Sequence, residues 1–486
     1  MYGTTRAPEL DRPGLVWFNT PQPLSLPALR GRIVVLDFWT FCCINCMHVL
    51  PTLRRIEEAF PDEVAVIGVH SPKFAAEREE ANIAHAIARY DIRHPVVHDP
   101  YMMLWDEYAV RAWPTLVFIS PDGQVIGQVS GEPDANALVD GIAHMITQFR
   151  QDGSLDPDYL PLTRTEPEER RFLYPGKIKS CPLPGGQGWA VADSGHHQVV
   201  LLNDQGRELQ RFGSGQAGFE DGDEDNAAFN APQGLACDDR FIWVADTGNH
   251  ALRRIDRASG RVETLAGTGR RGPVLRDLVA AQAAVLASPW DVEMVNGLAY
   301  IANAGSHQII SYDPVSEILR PAAGTGGEDL RDGPALQALL AQPSGLALGA
   351  DGLYFADSET SSIRRLTLGD DARVETLVGQ GLFDFGHQNG AFSQALLQHP
   401  LGLAVDEQGQ ILVADSYNGL VRRLNLEQGQ ALDLKMGACQ DQTCLPLAEP
   451  AGIAVAGFGR YLVADTNNHR IVEILTHLGQ YRSWAE

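Results

Sequence analysis

One short sequence pattern recurs six times in the C-terminal two-thirds of the chain. The copies read VADSGHHQVVLL, VADTGNHALRRI, IANAGSHQIISY, FADSETSSIRRL, VADSYNGLVRRL and VADTNNHRIVEI. Successive copies are 53, 57, 54, 58 and 50 residues apart. The count is made at the Asp of each copy, or at the Asn that replaces it in the third: Asp193, Asp246, Asn303, Asp357, Asp415 and Asp465. A fixed period of this length predicts a stack of equivalent units, because one such unit is too small to bury both of its faces alone.

The residues around each copy indicate how the units are built. Four copies follow a Pro-x-Gly segment (PQGLA, PSGLA, PLGLA and PAGIA), whereas PGKIK from Pro175 and PWDVE from Pro289 depart from it. Six residues past the acidic position every copy has an apolar side chain, which we expect to face a neighbouring unit: Val199, Leu252, Ile309, Ile363, Val421 and Ile471. Short strands that stack radially and close a ring leave no long free edge, so six copies predict an all-β six-bladed propeller.

The polar residues of the repeat allow two interpretations. Asp followed by Thr or Ser, then Gly or Asn, is typical of turns, since short polar side chains bond nearby backbone and tolerate left-handed conformations. The alternative is a metal or catalytic ring formed by His197, His250, His307 and His469, which occupy one equivalent position. Ser361 and Gly419 replace histidine in the other two copies, so we favour the turn interpretation and expect no metal site.

The repeats resemble NHL repeats, whose units close into six-bladed propellers. The resemblance runs from about Pro175 to the C-terminus and implies a protein-binding platform, although some relatives are metal-dependent lyases or hydrolases and some bind RNA. The chain carries 38 Lys and Arg against 62 Asp and Glu, a net charge of −24. Such a charge repels nucleic acid and anionic membranes, so we expect neither as a partner.

The N-terminal part of the chain alternates β-rich runs with helical periods. Candidate strands are Ile33–Trp39, Val64–His70, Thr115–Ser120 and QVIGQVS, and helical spacing appears after Cys46 and in AAEREEANIAHAIARY. Strands alternating with helices predict a sheet covered by helices. We therefore expect an α/β domain over residues 1–150, a polar linker over 151–171 and the propeller over 172–486.

Three of the seven cysteines lie together in FCCINC, at residues 41–46. Cys43 and Cys46 form a C-x-x-C motif between a predicted strand and a predicted helix. A cysteine at a helix N-terminus meets free N–H groups and partial positive charge, which favour the nucleophilic thiolate. A second cysteine three residues on can attack a mixed disulfide and release the product. No second C-x-x-C follows, so zinc is not expected.

This domain resembles thioredoxin, on the residues DFW, the C-x-x-C motif and AWPTLVF. The resemblance implies that Asp37 is the buried carboxylate that handles the proton of the second cysteine. It also implies that Pro114 is a cis-proline beside the disulfide and that Pro51 kinks the helix. Cys42 stands where thioredoxins have tryptophan, so we expect Cys43 to attack, Cys46 to resolve and Cys42 to play no direct part.

The whole chain resembles the NHL repeat-containing protein two family, through segments such as CCINC, WPTL, SPWDV and VADTNNH. We expect a thiol-disulfide oxidoreductase without cofactor that acts on a protein client and is served by a thiol redox partner. Three alternatives remain open: a binding scaffold with an inactive thioredoxin domain, a thiol peroxidase, and a propeller-borne lyase or hydrolase. An absent redox cycle would select the scaffold, and bound metal would favour the lyase or hydrolase.

Composition and the remaining cysteines give weaker expectations. The chain has neither a stretch apolar enough for a membrane helix nor an N-terminal pattern typical of a secretory signal, so we expect it in the cytoplasm. Cys439 and Cys444 are expected to be unrelated thiols. Cys181 and Cys237 are expected to be propeller core or turn residues.

Overall fold

The computed structural model describes residues 5–156, 162–163, 169–441 and 445–485. The chain divides into two compact units, Met1–Glu168 and Glu169–Glu486. Of the predicted linker, residues 157–161 and 164–168 lie outside the described residues, and a helix extends through its first residue, Gln151. Within the described ranges, no helix combines the length and apolar character needed to span a bilayer.

The N-terminal unit is built on one mixed sheet with the order β1-β4-β3-β2-β5-β6. The strands β2, β3 and β4 are parallel, whereas β1, β5 and β6 run antiparallel to their neighbours. The strand bounds are β1 Val16–Phe18, β2 Ile33–Trp39, β3 Val64–His70, β4 Val96–His98, β5 Thr115–Ile119 and β6 Val125–Ser130. Every residue of β2 is buried, because alternate side chains of this central strand pack into two apolar clusters.

Helices flank this sheet, and their bounds are α1 Ile44–Ala59, α2 Glu80–Arg89, α3 Met103–Glu107 and α4 Ala135–Gln151. Pro51 lies inside α1, as predicted. Asp134 caps α4, since its side chain accepts a hydrogen bond from the Ala137 amide at 2.8 Å. The predicted second helix starts late, because the chain first makes a 3-10 turn at Ala76–Arg78 that turns Glu77 inward. The architecture is the α/β thioredoxin-like fold expected from the sequence.

The described residues of the second unit form six blades, as predicted, and their strands pair antiparallel except for the short β30 in blade 6. Blade 1 comprises β7 Pro175–Ser180, β8 Gly188–Asp193, β9 Gln198–Asn203 and β10 Glu208–Phe212. Blade 2 comprises β11 Gly234–Cys237, β12 Phe241–Asp246, β13 Ala251–Asp256 and β14 Val262–Ala266. Blade 3 comprises β15 Val279–Ala280, β16 Pro289–Val295, β17 Leu298–Asn303, β18 Gln308–Asp313 and β19 Ile318–Ala323.

The last three blades also carry a short extra strand at the outer edge. Blade 4 comprises β20 Gly333–Pro334, β21 Pro343–Gly349, β22 Gly352–Asp357, β23 Ser362–Leu366 and β24 Arg373–Val378. Blade 5 comprises β25 Gly390–Ala391, β26 Gly402–Val405, β27 Ile411–Asp415, β28 Leu420–Asn425 and β29 Gln430–Asp433. Blade 6 comprises β30 Ala438–Cys439, β31 Pro450–Gly457, β32 Arg460–Asp465, β33 Arg470–Leu475 and β34 Gln480–Ala485.

The propeller core consists of apolar clusters between successive blades. The innermost strands β7, β11, β16, β21, β26 and β31 contact one another around the ring. The six apolar positions predicted to face a neighbouring blade do so, and each is at most 1% exposed: Val199, Leu252, Ile309, Ile363, Val421 and Ile471. Each of these side chains packs in the cluster that its blade shares with the next.

The repeat histidines brace neighbouring blades. Nδ1 of His250 accepts a hydrogen bond from the Ser288 amide of the next blade at 3.0 Å. In the same way, Nδ1 of His197, His307 and His469 accepts a hydrogen bond from the amide of Ala231, Gln342 and Tyr174, respectively. Ser361 supplies the acceptor through its hydroxyl in blade 4. These contacts support the structural interpretation of the repeat over a metal ring, since Nδ1 of each histidine already has a partner.

The Pro-x-Gly segments bring the inner strands close together at the axis. A Cβ on Gly402 would lie 2.5 Å from the Ala451 carbonyl oxygen, and one on Gly345 would lie 2.7 Å from the Leu401 carbonyl oxygen. At these two positions a side chain would collide with the backbone of the next blade, so glycine is required there. Blades 1 and 3 place Lys177 and Asp291 at this position instead.

The ring closes without sharing a strand between its first and last blades. Each sheet consists of strands from one consecutive stretch of chain. Thr466 Oγ1 donates to the Pro175 carbonyl at 2.8 Å, and Arg460 pairs with Asp204 at 2.7 Å. Side-chain contacts and the apolar cluster between blades 6 and 1 therefore hold this seam.

The remaining cysteines differ in state. Cys439, on the short edge strand β30, is disulfide-bonded, so the expectation of an unrelated thiol is wrong at this residue. Cys444 lies outside the described residues. Cys181 is buried in the propeller core and Cys237 ends β11, and both are free thiols.

Candidate active site

The C-x-x-C motif lies where the central strand of the N-terminal sheet meets a helix. Strand β2 ends at Trp39, and α1 begins at Ile44 with Cys43 as its N-cap residue. The Cys43 carbonyl accepts the amides of Cys46 and Met47 at 3.1 and 3.3 Å, which fixes the first turn. The Cys43 side chain is thus held at the helix N-terminus, where unpaired N–H groups favour negative charge.

The three adjacent cysteines differ in exposure. Cys43 is half-buried, whereas Cys46 is 1% and Cys42 is 4% exposed. The thiols of Cys43 and Cys46 are hydrogen-bonded to each other. Burial raises the pKa of Cys46 well above its ordinary value, and the hydrogen bond to Cys43 and the nearby charge of Asp37 raise it further. The pair therefore combines an accessible thiol with a protonated, sheltered partner.

Asp37, on β2, is fully buried and close enough to Cys46 to raise the pKa of that thiol. Burial raises the pKa of Asp37 from 3.8 to about 7, and the charge of His94 opposes this shift. Among the described residues, neither carboxylate oxygen has a hydrogen-bond partner. A buried carboxyl that titrates near neutral pH and couples electrostatically to Cys46 can exchange a proton with that thiol. Asp37 is 0% exposed, which agrees with the buried carboxylate that the thioredoxin resemblance implies.

The loop before β5 forms another wall of this region. The Trp113-Pro114 peptide bond is cis, as predicted. The indole nitrogen of Trp113 donates to the Ser71 carbonyl oxygen at 3.0 Å, and its ring packs against Trp105 with centroids 4.4 Å apart. Strand β5 pairs with β2, the strand that carries Asp37. The pairing therefore brings the segment that carries Pro114 close to Asp37, at the same end of these two strands.

Glu77 is a residue of this site that sequence reasoning missed. Its carboxylate is 0% exposed and accepts the Cys42 amide at 2.9 Å. It also accepts the amides of Lys73 and Phe74 at 2.8 and 2.9 Å. Hydrogen bonds to a buried carboxylate are among the stronger ones in proteins. Glu77 thus ties the cysteine loop to the segment after β3. The only sequence signal was an acidic residue seven positions past a buried strand.

His70 closes the apolar side of the cysteine loop. Its ring stacks on Phe41 with centroids 5.4 Å apart and meets Trp39 edge-on at 4.9 Å. Burial lowers the pKa of His70 well below its ordinary value, and His98 lowers it further. The neutral imidazole therefore acts as a packing group beside the loop.

Comparison with known proteins agrees with both halves of this architecture. The thioredoxin-like family profile matches residues 31–125, and the NHL repeat profile matches residues 397–424 and 447–474. Protein SUPPRESSOR OF QUENCHING 1, chloroplastic, of Arabidopsis thaliana is 40% identical over 96% of this chain and 46% of its own length. NHL repeat-containing protein 2 of Gallus gallus is 36% identical over 96% of this chain and 69% of its own length. Thiol-disulfide oxidoreductase ResA of Bacillus cereus is 27% identical over 26% of this chain and 69% of its own length.

Fold and site together define a thioredoxin-like domain followed by a six-bladed NHL-repeat propeller. The chain matches NHL repeat-containing protein 2 of Gallus gallus through both domains and at more than two-thirds of that protein's length. It therefore belongs to the NHL repeat-containing protein 2 family. The chain spans less than half of the plant relative's length.

Proposed function

We propose that the protein is a thiol-disulfide oxidoreductase that works through Cys43 and Cys46. One observation carries the proposal: an accessible thiol at a helix N-terminus is hydrogen-bonded to a buried thiol, next to a buried carboxyl. The attacking and resolving groups of a disulfide exchange need this difference in exposure, because only one of them meets the substrate. The similarity to a named thiol-disulfide oxidoreductase supports the same chemistry.

The reaction follows from this geometry. The Cys43 thiolate attacks one sulfur of a client disulfide, and the other client sulfur leaves as a thiolate that takes up a proton. Asp37 accepts the proton of Cys46, whose thiolate then attacks Cys43 Sγ in the mixed disulfide. The client leaves with two thiols, and Cys43 and Cys46 are joined. A dithiol partner protein returns the pair to its reduced form by the reverse exchange, so two electrons pass from partner to client.

The propeller supplies the binding platform for the protein client in this proposal. Near the axis, the buried Lys177 ammonium donates to the Ala451 carbonyl at 2.8 Å. The membership of the chain in an NHL-repeat family supports a protein as the ligand of this unit.

The test is a redox titration of the full chain with differential thiol labelling, followed by turnover on a protein disulfide such as insulin. Cys43→Ser is expected to abolish turnover. Cys46→Ser is expected to accumulate a mixed disulfide with the substrate, because the resolving thiol is missing. Cys42→Ser is the matched control, and it should retain most activity, since the Glu77 bond uses the backbone amide of residue 42 rather than its thiol.

Two outcomes would contradict the proposal. If Cys43 and Cys46 do not form a disulfide at any applied potential, the chain is a binding scaffold with an inactive thioredoxin domain. If Cys42→Ser loses activity while Cys43→Ser retains it, the attacking residue is Cys42.

A further inference from the structure

A second pair of thiols lies in the propeller, far along the chain from the C-x-x-C motif. Cys181 follows β7 in blade 1 and is 0% exposed. Cys237 is the last residue of β11 in blade 2 and is half-buried. Both belong to the apolar cluster between these blades, and their thiols are hydrogen-bonded to each other. Two free thiols that pack in one cluster from different blades, and that shift each other's pKa values, are candidates for a disulfide that would join the blades.

Arg257 holds the two cysteine-bearing turns together. One guanidinium nitrogen donates to the Asp238 and Asp239 carbonyl oxygens at 2.9 and 3.2 Å. The other donates to the Pro182 carbonyl oxygen. The residue after Cys181 and the residues after Cys237 are therefore bound by a single cation. This arrangement limits how far the two sulfur atoms can separate, and it places a positive charge beside them.

We propose that Cys181 and Cys237 form a redox-sensitive dithiol site, which a small hydroperoxide oxidises to a disulfide between blades 1 and 2. Because Cys181 is fully buried and only Cys237 reaches solvent, the oxidant must be as small as hydrogen peroxide. The site is independent of the activity proposed for Cys43 and Cys46.

Each step of this oxidation balances. The Cys181 thiolate attacks one peroxide oxygen, which leaves Cys181 as a sulfenic acid and releases the other oxygen as hydroxide, which is protonated to water. The Cys237 thiol then attacks the sulfenic sulfur, a disulfide forms and a second water leaves. Two thiols lose two electrons, and one hydrogen peroxide becomes two waters. A dithiol reductant reverses the change.

Electrostatics assign Cys181 as the attacking group. The hydrogen bond from Cys237 lowers the pKa of Cys181, and the charge of Arg257 lowers it further against the effect of burial. Burial raises the pKa of Cys237 well above its ordinary value. The thiolate, which is the form that reacts with peroxide, therefore resides on Cys181.

The first experiment treats the reduced full chain with hydrogen peroxide, alkylates the remaining thiols and identifies linked peptides by mass spectrometry. A Cys181–Cys237 peptide that has lost two hydrogen masses is expected. The same peptide should form in a full-length variant with Cys42, Cys43 and Cys46 all changed to Ser, because the site needs no active-site thiol. The linked form should melt roughly 5 °C higher than the reduced form. Full alkylation of Cys181 and Cys237 after peroxide treatment would overturn the proposal.

The second experiment distinguishes the two sulfurs and needs correctly folded variants, checked by circular dichroism. In Cys237→Ser the sulfenic acid at Cys181 cannot be resolved, so dimedone should label Cys181 after peroxide treatment. In the matched variant Cys181→Ser, labelling of Cys237 should be roughly tenfold lower, because that thiol stays protonated. Equal labelling of the two variants, or stronger labelling of Cys237, would refute the assignment of Cys181 as the attacking thiol.

Discussion

Lys179 Nζ lies 2.8 Å from Glu293 Oε2, although the two residues are 114 positions apart and belong to blades 1 and 3. Burial alone would lower the pKa of Lys179, but Glu293 and Asp291 raise it above its ordinary value. Lys177, two residues earlier on the same strand, has its pKa lowered by burial to about 8, with Asp291 opposing the shift. The two blades that depart from the Pro-x-Gly pattern therefore complement each other in charge.

Removing one member of this pair should destabilise the propeller. Glu293→Ala introduces the residue type that stands at the equivalent position in blades such as 2 and 4, but it leaves the Lys179 ammonium partly buried without its counter-charge. We expect a loss of about 2 kcal/mol in the free energy of unfolding, measured by urea titration. The double variant Lys179→Ala/Glu293→Ala should recover most of this loss, since neither charge remains. Additive losses in the double variant would show that the two charges are not coupled.

The histidine braces should make propeller stability depend on pH. Burial lowers the pKa of His197 below 6.5, so the folded protein holds this ring neutral while the unfolded chain protonates it near pH 6.5. Below that pH the unfolded state binds more protons, and stability therefore falls as pH falls. His197→Asn keeps a side-chain acceptor and tolerates the left-handed backbone, but does not titrate. We expect its unfolding free energy, measured by urea titration, to fall less between pH 7 and 5 than that of the parent.

Asp37 should control how fast the mixed disulfide is resolved. The wild-type rate of this step is expected to rise with pH through an ionisation near 7, where Asp37 becomes able to accept the Cys46 proton. Asp37→Asn should slow resolution roughly 100-fold and remove that ionisation from the pH profile. Rapid-quench measurement of mixed-disulfide decay checks both effects. An unchanged profile in Asp37→Asn would exclude Asp37 from the proton transfer.

Glu77 should hold the cysteine loop in place. In Glu77→Gln the side-chain NH2 group would take the place of the oxygen that accepts the Lys73 and Phe74 backbone amides. These N–H groups would then lose their acceptor. We expect a loss of about 2 kcal/mol in stability and faster hydrogen exchange at the Cys42 amide. The exposed neighbour Glu79→Gln is the matched control, and it should change neither quantity. Similar behaviour of the two variants would show that the carboxylate does not position the loop.

The parts of the fold that depend on local repetition were predictable from the sequence. The spacing of the acidic positions predicts six blades, and the apolar position after each predicts the contact between neighbours. The position of Cys43 at a helix start follows in the same way from a strand that precedes the motif. These inferences succeed because each depends on residues within one unit.

Contacts between distant segments were not predictable. The departures at Pro175 and Pro289 are visible in the sequence, but the pairing of Lys179 with Glu293 exists only once the ring is closed. The role of Glu77 was hidden for the same reason, since its partner amide on Cys42 is 35 residues away. The histidines repeat at a regular position, but their Nδ1 atoms accept hydrogen bonds from backbone amides of the following blade. A repeat pattern alone does not show which blade the ring faces.

The closure of the ring by side chains has a mechanical consequence. Because blades 1 and 6 share no strand, a pulling force on the two ends of the propeller meets the Thr466–Pro175 and Arg460–Asp204 bonds rather than a sheet ladder. We expect the ring to open first at this junction, before any blade unfolds. The blades then detach one after another from each end, since each is held only by its neighbours. Under tension, the contacts between blades 1 and 6 should therefore limit the mechanical stability of the propeller.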